Sequence, residues 1–174
     1  KQAGAEVSIE KSAQIYRMDD TPEQIGPMVK AVLKGKGKSK IMLIAHMDTV
    51  YEKGMLKDQP FKIEGDKAYG LGIIDDKQGV AAILHVIDSL KKLNYQNYGT
   101  LTVLMNSDEE ISSPASRQMI TQTAQDQDLV LSFEGGGKEG HLRLATSGIG
   151  AAYLDIKGKA SHAGVKPEAG VNAR

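Results

Sequence analysis

Three short apolar runs in this chain each end in side chains that bind metal or move protons. Ile41-Met42-Leu43-Ile44-Ala45 leads into His46-Met47-Asp48, Thr100 to Met105 leads into Asn106-Ser107-Asp108-Glu109-Glu110, and Leu129-Val130-Leu131-Ser132-Phe133 leads into Glu134. Continuous apolar runs of this length suit buried strands covered on both faces. Between the first two runs, Val80, Ile83, Leu84, Ile87 and Leu90 recur at helical spacing within Gly79 to Leu93, with Lys91 and Lys92 in the last turn. Ser116 to Gln125 reads as a second helix, between the second and third runs. Alternating strands and helices predict an α/β fold. In open α/β sheets, ligands bind outside the carboxyl ends of the strands, which is where these polar groups fall.

The rest of the chain is less patterned. Val7 to Met18 reads as extended, and Thr21-Pro22-Glu23 as a helix start or a turn. Ala31-Val32-Leu33 precedes a basic run, Lys34 to Lys40, which reads as a solvated turn because glycines break it and no aromatics interleave. Phe61 to Gly72 suggests a short hairpin or loop, and Leu142 to Leu144 and Ile149 to Ile156 suggest further strands. Lysine and arginine number 22 against 22 acidic residues, so neither nucleic acid nor an anionic membrane is the expected partner. With no cysteine, a metal must sit on His, Asp and Glu. No apolar run approaches the roughly 20 residues of a membrane span, and the N-terminus has no signal-peptide pattern. A soluble protein is expected, with the compartment open between cytoplasm, periplasm and exterior. The lack of an initiator Met and the ending at Val171-Asn172-Ala173-Arg174 lead us to expect a piece of a longer chain.

Several acids and histidines are candidates for a site. His46 and Asp48 are two apart, so a persisting strand points both the same way, one to ligate and one to orient. The same pair also suits a strand end facing water. Asp75-Asp76 precedes the clearest helix, where capping needs only one acid. Gly70, Gly72 and Gly79 surround it, as where backbone must approach something closely. Asp108-Glu109-Glu110 is either a solvated loop or a ligand beside a base. Glu134, between a strand and Gly135-Gly136-Gly137, is either a loop acid or a cation ligand. His85 reads as structural or solvated and His141 as surface, while His162 sits among small residues that allow close approach to a ligand.

Taken together, His46-Met47-Asp48-Thr49-Val50, Tyr69 to Lys77, Asn106 to Glu110, Leu131 to Glu134 and Gly158 to Gly164 resemble the dinuclear zinc family of aminoacylases, desuccinylases and carboxypeptidases. The wording from His46 to Tyr51, Asp75-Asp76-Lys77 and Ser132-Phe133-Glu134 is similar to its bacterial glutamate carboxypeptidase subgroup. The resemblance implies a zinc exopeptidase-like α/β/α fold of three layers with a mixed, largely parallel sheet. Residues 1–146 would form the zinc-binding domain, and 147–174 would begin a lid and dimerisation domain. It implies two zinc ions: His46 and Glu134 on the first, Glu110 on the second, and Asp75 shared. It implies Glu109 as general base, Asp48 as the group orienting His46, and His162 as a residue reaching the partner subunit's site in a homodimer. The implied reaction is hydrolysis of an amide in a small molecule or short peptide with a free carboxylate, releasing a C-terminal amino acid such as glutamate. N-acyl amino acid deacylation and a non-catalytic metal-binding fragment are the alternatives. Gly135 stands where the subgroup often has Pro. A further histidine for the second zinc and an arginine for the carboxylate are expected beyond Arg174.

Overall fold

A computed structural model describes residues 4–12, 14–18, 21–136, 140–148, 150, 152 and 154–172. Ile149, Ala151 and Tyr153 of the last expected strand lie outside the described residues, as do Gly137, Ala173 and Arg174. The chain divides into two compact units, Lys1–Gly140 and His141–Arg174. The expected boundary at Thr146 falls within the second.

The first unit is built on a five-stranded sheet. Its strands are β1 (Glu6–Glu10), β2 (Met28–Lys34), β3 (Lys40–His46), β6 (Thr100–Asn106) and β7 (Leu129–Ser132), in the order β1-β2-β6-β3-β7. β1, β2 and β6 pair antiparallel, whereas β3 lies parallel between β6 and β7. A hairpin of β4 (Lys62–Glu64) and β5 (Lys67–Tyr69) stands apart and turns at Gly65, whose φ of +63° suits glycine. The two long helices are α1 (Gln78–Lys92) and α2 (Arg117–Gln125).

The core follows from the two periodicities. Along β3 and β6, Leu43, Ala45, Leu101, Val103 and Met105 share one face. Ile83 of α1 is fully buried against it, with Val80, Ile87 and Leu90 packed around. Burying a side chain such as Ile83 contributes about 1.5–3 kcal/mol. Met42 and Leu104 point the other way and are fully buried too, so both faces of the central strands are covered. Passing from β3 to β6 by way of α1 moves one way across the sheet, and passing from β6 to β7 by way of α2 moves back over β3. Right-handed crossovers in opposite directions put the two helices on opposite faces.

The structure adds to or changes three readings. Met28–Lys34 is a strand, although its lysines hide the pattern; it lies between β1 and β6. β7 is an edge strand paired only with β3, so Leu129, Val130 and Leu131 are exposed rather than buried. Of the two readings of Thr21-Pro22-Glu23, the helix start is not found; the segment is irregular, and the Met18 N–H donates to Thr21 Oγ1 at 2.8 Å.

In the second unit, Lys159 and Val171 exchange backbone hydrogen bonds of 2.9 and 3.0 Å, closing a loop that holds a short 3-10 turn at Pro167–Ala169. Leu142–Leu144 forms no strand; its leucines are almost fully exposed and have no partner strand among the described residues. No helix among the described residues is long and apolar enough to cross a membrane.

Candidate metal centre

The site lies at the carboxyl end of β3, between β6, reached through α1 on one side, and β7, reached from β6 on the other. Such a switch in direction opens a crevice. His46, the last residue of β3, is 1% exposed. Its Nδ1 lies 3.1 Å from the Asp48 backbone oxygen and 3.3 Å from Asp48 Oδ1. Both are acceptors, so Nδ1 carries a proton, and Nε2 is the ring nitrogen that can offer its lone pair to a metal. Nε2 faces carboxylates: Asp75 Oδ1 at 2.8 Å, Glu134 Oε2 at 3.8 Å and Glu109 Oε2 at 4.0 Å.

Each acid is delivered by its own loop. The Asp75–Asp76 pair divides its labour. The Asp76 carboxylate is fully buried and accepts the His46 N–H at 3.3 Å and the Gly79 N–H at 3.2 Å, capping α1. A Cβ on Gly79 would overlap that carboxylate, so glycine is required there. Asp75 is left exposed and faces His46. The peptide between the two aspartates is cis. Glu134 follows β7, whose ladder is extended by the Phe133 N–H donating to the Ile44 oxygen at 2.8 Å. Glu109 and Glu110 open a 3-10 turn after β6, and the Glu110 N–H donates to Asp48 Oδ2 at 3.0 Å.

Asp108 has a role that the acidic triplet does not reveal. It is 1% exposed and accepts the N–H groups of Ala115 and Ser116 at 2.7 and 2.9 Å and the Ser116 hydroxyl at 2.5 Å. Asn106 Nδ2 donates to Asp108 Oδ1 and Ser116 Oγ, both at 3.4 Å. This buried network fixes the loop that carries Glu109 and Glu110. The signal in the sequence was the serine opening α2 just downstream, which gives a buried acid somewhere to bond.

The electrostatics call for a cation. Burial lowers the His46 pKa, but the Asp75 hydrogen bond and the charges of Glu134, Asp48 and Glu109 outweigh it and hold it above the ordinary histidine value. Burial, then neighbouring carboxylates, push Glu134 and Glu110 above the usual carboxylate range, against the pull of His46. Among the described residues, the ion pairs of Asp48, Asp75, Glu109 and Glu134 all run to His46. Asp48 Oδ1 is buried without a hydrogen bond. His46, Asp75 and Glu134 place ligand atoms within 4.8 Å of one another and form the one such group among the described residues. One imidazole nitrogen with carboxylate oxygens is a donor set suited to a divalent ion such as zinc. The residues present therefore fit a metal.

Of the candidates, His46, Asp48, Asp75, Glu109, Glu110 and Glu134 come together around the end of β3. His162 belongs to the second unit, where its Nδ1 accepts the Gly164 N–H at 3.2 Å and its backbone oxygen accepts the N–H groups of Val165 and Lys166. His85 is exposed on α1, and His141 is exposed.

Residues 42–169 match the profile of peptidase family M20/M25/M40. The chain belongs to this family. Among curated M20 relatives, it is 52% identical to Carboxypeptidase G2 of Pseudomonas sp. (strain RS-16) over 151 residues, 86% of this chain and 36% of that protein. It is 34% identical to acetylornithine deacetylase of Buchnera aphidicola subsp. Acyrthosiphon pisum (strain APS) over 147 residues, 80% of this chain and 36% of that protein. A tripeptidase structure from Staphylococcus aureus subsp. aureus Mu50 covers 99% of this chain and 44% of its own, with a TM-score of 0.63 at 19% identity, and so shares the M20 fold. The chain thus spans about a third of the length of these curated relatives.

Proposed function

We propose that this chain carries the metal-binding part of an M20 hydrolase that cleaves an amide bond and releases a C-terminal amino acid, with glutamate the favoured product. The observation that carries this reading is the convergence of His46, Asp75 and Glu134 within 4.8 Å, with Glu109 at the edge of the group. His46 Nε2, Asp75 and Glu134 would hold one zinc ion, and Asp75 with Glu110 would serve a second. When bound, zinc supplies positive charge that polarises the amide carbonyl and lowers the pKa of water. Asp48 keeps the His46 proton on Nδ1 and so leaves Nε2 free to ligate. Glu109 takes a proton from the attacking water as its oxygen bonds to the carbonyl carbon, and delivers it to the amine nitrogen as the C–N bond breaks. His162 steadies the substrate carbonyl in the partner subunit of a homodimer. Release of a C-terminal residue is supported by the 52% identity to Carboxypeptidase G2, and glutamate by the resemblance of residues 46–51, 75–77 and 132–134 to the glutamate carboxypeptidase subgroup.

The likeness to acetylornithine deacetylase favours a second reading within the same chemistry, deacylation of an N-acyl amino acid. Both are tested by assaying N-acyl glutamates and N-acetyl amino acids, with and without zinc, on this chain and on the longest natural polypeptide that contains it. Zinc-dependent glutamate release is the expected result. Zinc-dependent deacetylation without it favours the second reading, and no zinc-dependent cleavage overturns both.

A further inference from the structure

Two side chains beside the metal cluster hold the backbone of its ligands: Asp48 that of Glu110, and Asp76 that of His46. Glu134 has a tether of the same kind, from a residue with no part in the chemistry. Gln78, the first residue of α1, donates from Nε2 to the Glu134 backbone oxygen at 3.0 Å. The donor stands on a fixed base. Its neighbour Gly79 gives its N–H to the Asp76 carboxylate, which also accepts the His46 N–H. The first turn of α1 is thereby locked to the end of β3, and Gln78 carries that anchorage across to the end of β7.

The backbone after β7 has little else to hold it. The ladder ends where the Phe133 N–H meets the Ile44 oxygen. Beyond it, among the described residues, Glu134, Gly135 and Gly136 make no backbone-to-backbone hydrogen bond. Glycine has more backbone freedom than any other residue, so the chain is loosest just where a ligand must be held. At Gly135 the fold does not require that freedom. Its φ lies outside the left-handed region, and a Cβ there would meet Ile74 Cγ2 at 3.4 Å, an ordinary contact.

We infer that Gln78 is a positioning residue for Glu134, holding this ligand in its metal-binding place where the glycines after it leave the chain free. The inference rests on the reading of Glu134 as a zinc ligand. A group held in its bound arrangement before the ion arrives loses less freedom on binding. Gln78 is exposed, so packing does not account for its place.

The test replaces Gln78 with methionine, which keeps the length and helix propensity but cannot donate. In Gln78→Met, calorimetric titration should show zinc binding about 3–10-fold weaker, the span by which one hydrogen bond shifts a local equilibrium. Gln78→Ala should lose as much. The melting temperature of the metal-free chain should move by no more than about 2 °C in either, since the position is on the surface. The 13C resonance of the Glu134 carbonyl should shift in both metal-free variants as its donor is lost. Adding Gly135→Ala to Gln78→Met should recover about twofold or more in zinc affinity by restricting the backbone instead. Zinc affinity that survives Gln78→Met, a carbonyl resonance that does not move, a larger fall in melting temperature, or no recovery by Gly135→Ala would overturn the assignment. Zinc bound equally by the unsubstituted chain and both variants would overturn it alone, whereas no zinc binding by the unsubstituted chain would overturn the metal-centre reading with it.

Discussion

The Asp48 carboxylate reaches across 62 positions of sequence to accept the backbone N–H of Glu110 at 3.0 Å. The same carboxylate lies 3.3 Å from His46 Nδ1. One side chain thus ties the end of β3 to the loop after β6 and steadies the imidazole between them. Removing it in Asp48→Ala leaves the Glu110 N–H without its acceptor and takes the negative charge from beside Nδ1, which keeps only the Asp48 backbone oxygen at 3.1 Å. Zinc affinity should fall about 10–100-fold, as for other groups that orient a ligating histidine. Titration calorimetry with zinc checks this, and an unchanged affinity would mean that the carboxylate orients nothing.

The Glu109 side chain is exposed and makes no hydrogen bond among the described residues, while only its backbone oxygen holds the turn by accepting the Ser112 N–H, which suits a carboxylate that trades protons. In Glu109→Gln, metal content should stay as it is while turnover of an N-acyl glutamate drops about 10²–10⁴-fold, the usual loss on removing a general base. Metal analysis beside the rate assay separates this from loss of a ligand. Full activity with metal retained would remove Glu109 from the mechanism.

The adjacent aspartates should separate cleanly. Asp75→Ala takes away a carboxylate shared by the site and should abolish metal binding. Asp76→Ala should keep the metal but melt at a lower temperature. It strands the buried His46 and Gly79 N–H groups, at about 1–3 kcal/mol for each unsatisfied donor. Equal metal stoichiometry in the two variants would show that the two aspartates do not divide the roles in this way.

Zinc should stabilise this chain, and one ion should bind better than a second. The group of His46, Asp75 and Glu134 offers three ligands, whereas Glu110 adds only itself to Asp75. A ligand at 100 times its Kd adds about 2.7 kcal/mol to folding. The sign with pH is opposite for the two forms. His46, Glu134 and Glu110 all have raised pKa values, so the metal-free fold holds protons more tightly than the unfolded chain and loses stability as pH rises through those values. Zinc must displace the same protons, so its stabilisation grows with pH over that window. Thermal melts with and without zinc across the range should show the two curves diverging upward. Two equally tight sites would contradict the ligand count.

Much of this was legible before any coordinates, for a physical reason. Apolar strands announce themselves by composition, and a charged residue at the end of one has few reasons to exist other than chemistry. His46 and Glu134 were therefore readable as strand-end groups. From spacing alone Asp75 and Asp76 were readable only as a pair, because the direction of each carboxylate depends on backbone angles; it was the family resemblance that singled out Asp75. Asp108 was hidden in a run of acids; its burial depends on Ser116 and Ala115 folding back over it. β2 was hidden by Lys30 and Lys34, and the exposure of β7 follows from its place in the strand order, which is a long-range property.

The register of β3 has one more consequence. Lys40 pairs with Thr100 and Ile41 with Leu129, so both neighbours of the central strand come from far along the chain. Closing such loops is slow and carries an entropy cost before any contact repays it. His46 meets Glu109 and Glu134 only after both pairings are in place, which puts the assembly of the ligand set at the end of folding. A zinc-sensitive probe followed during refolding would thus report the completed sheet, and its signal should lag behind the formation of helix α1.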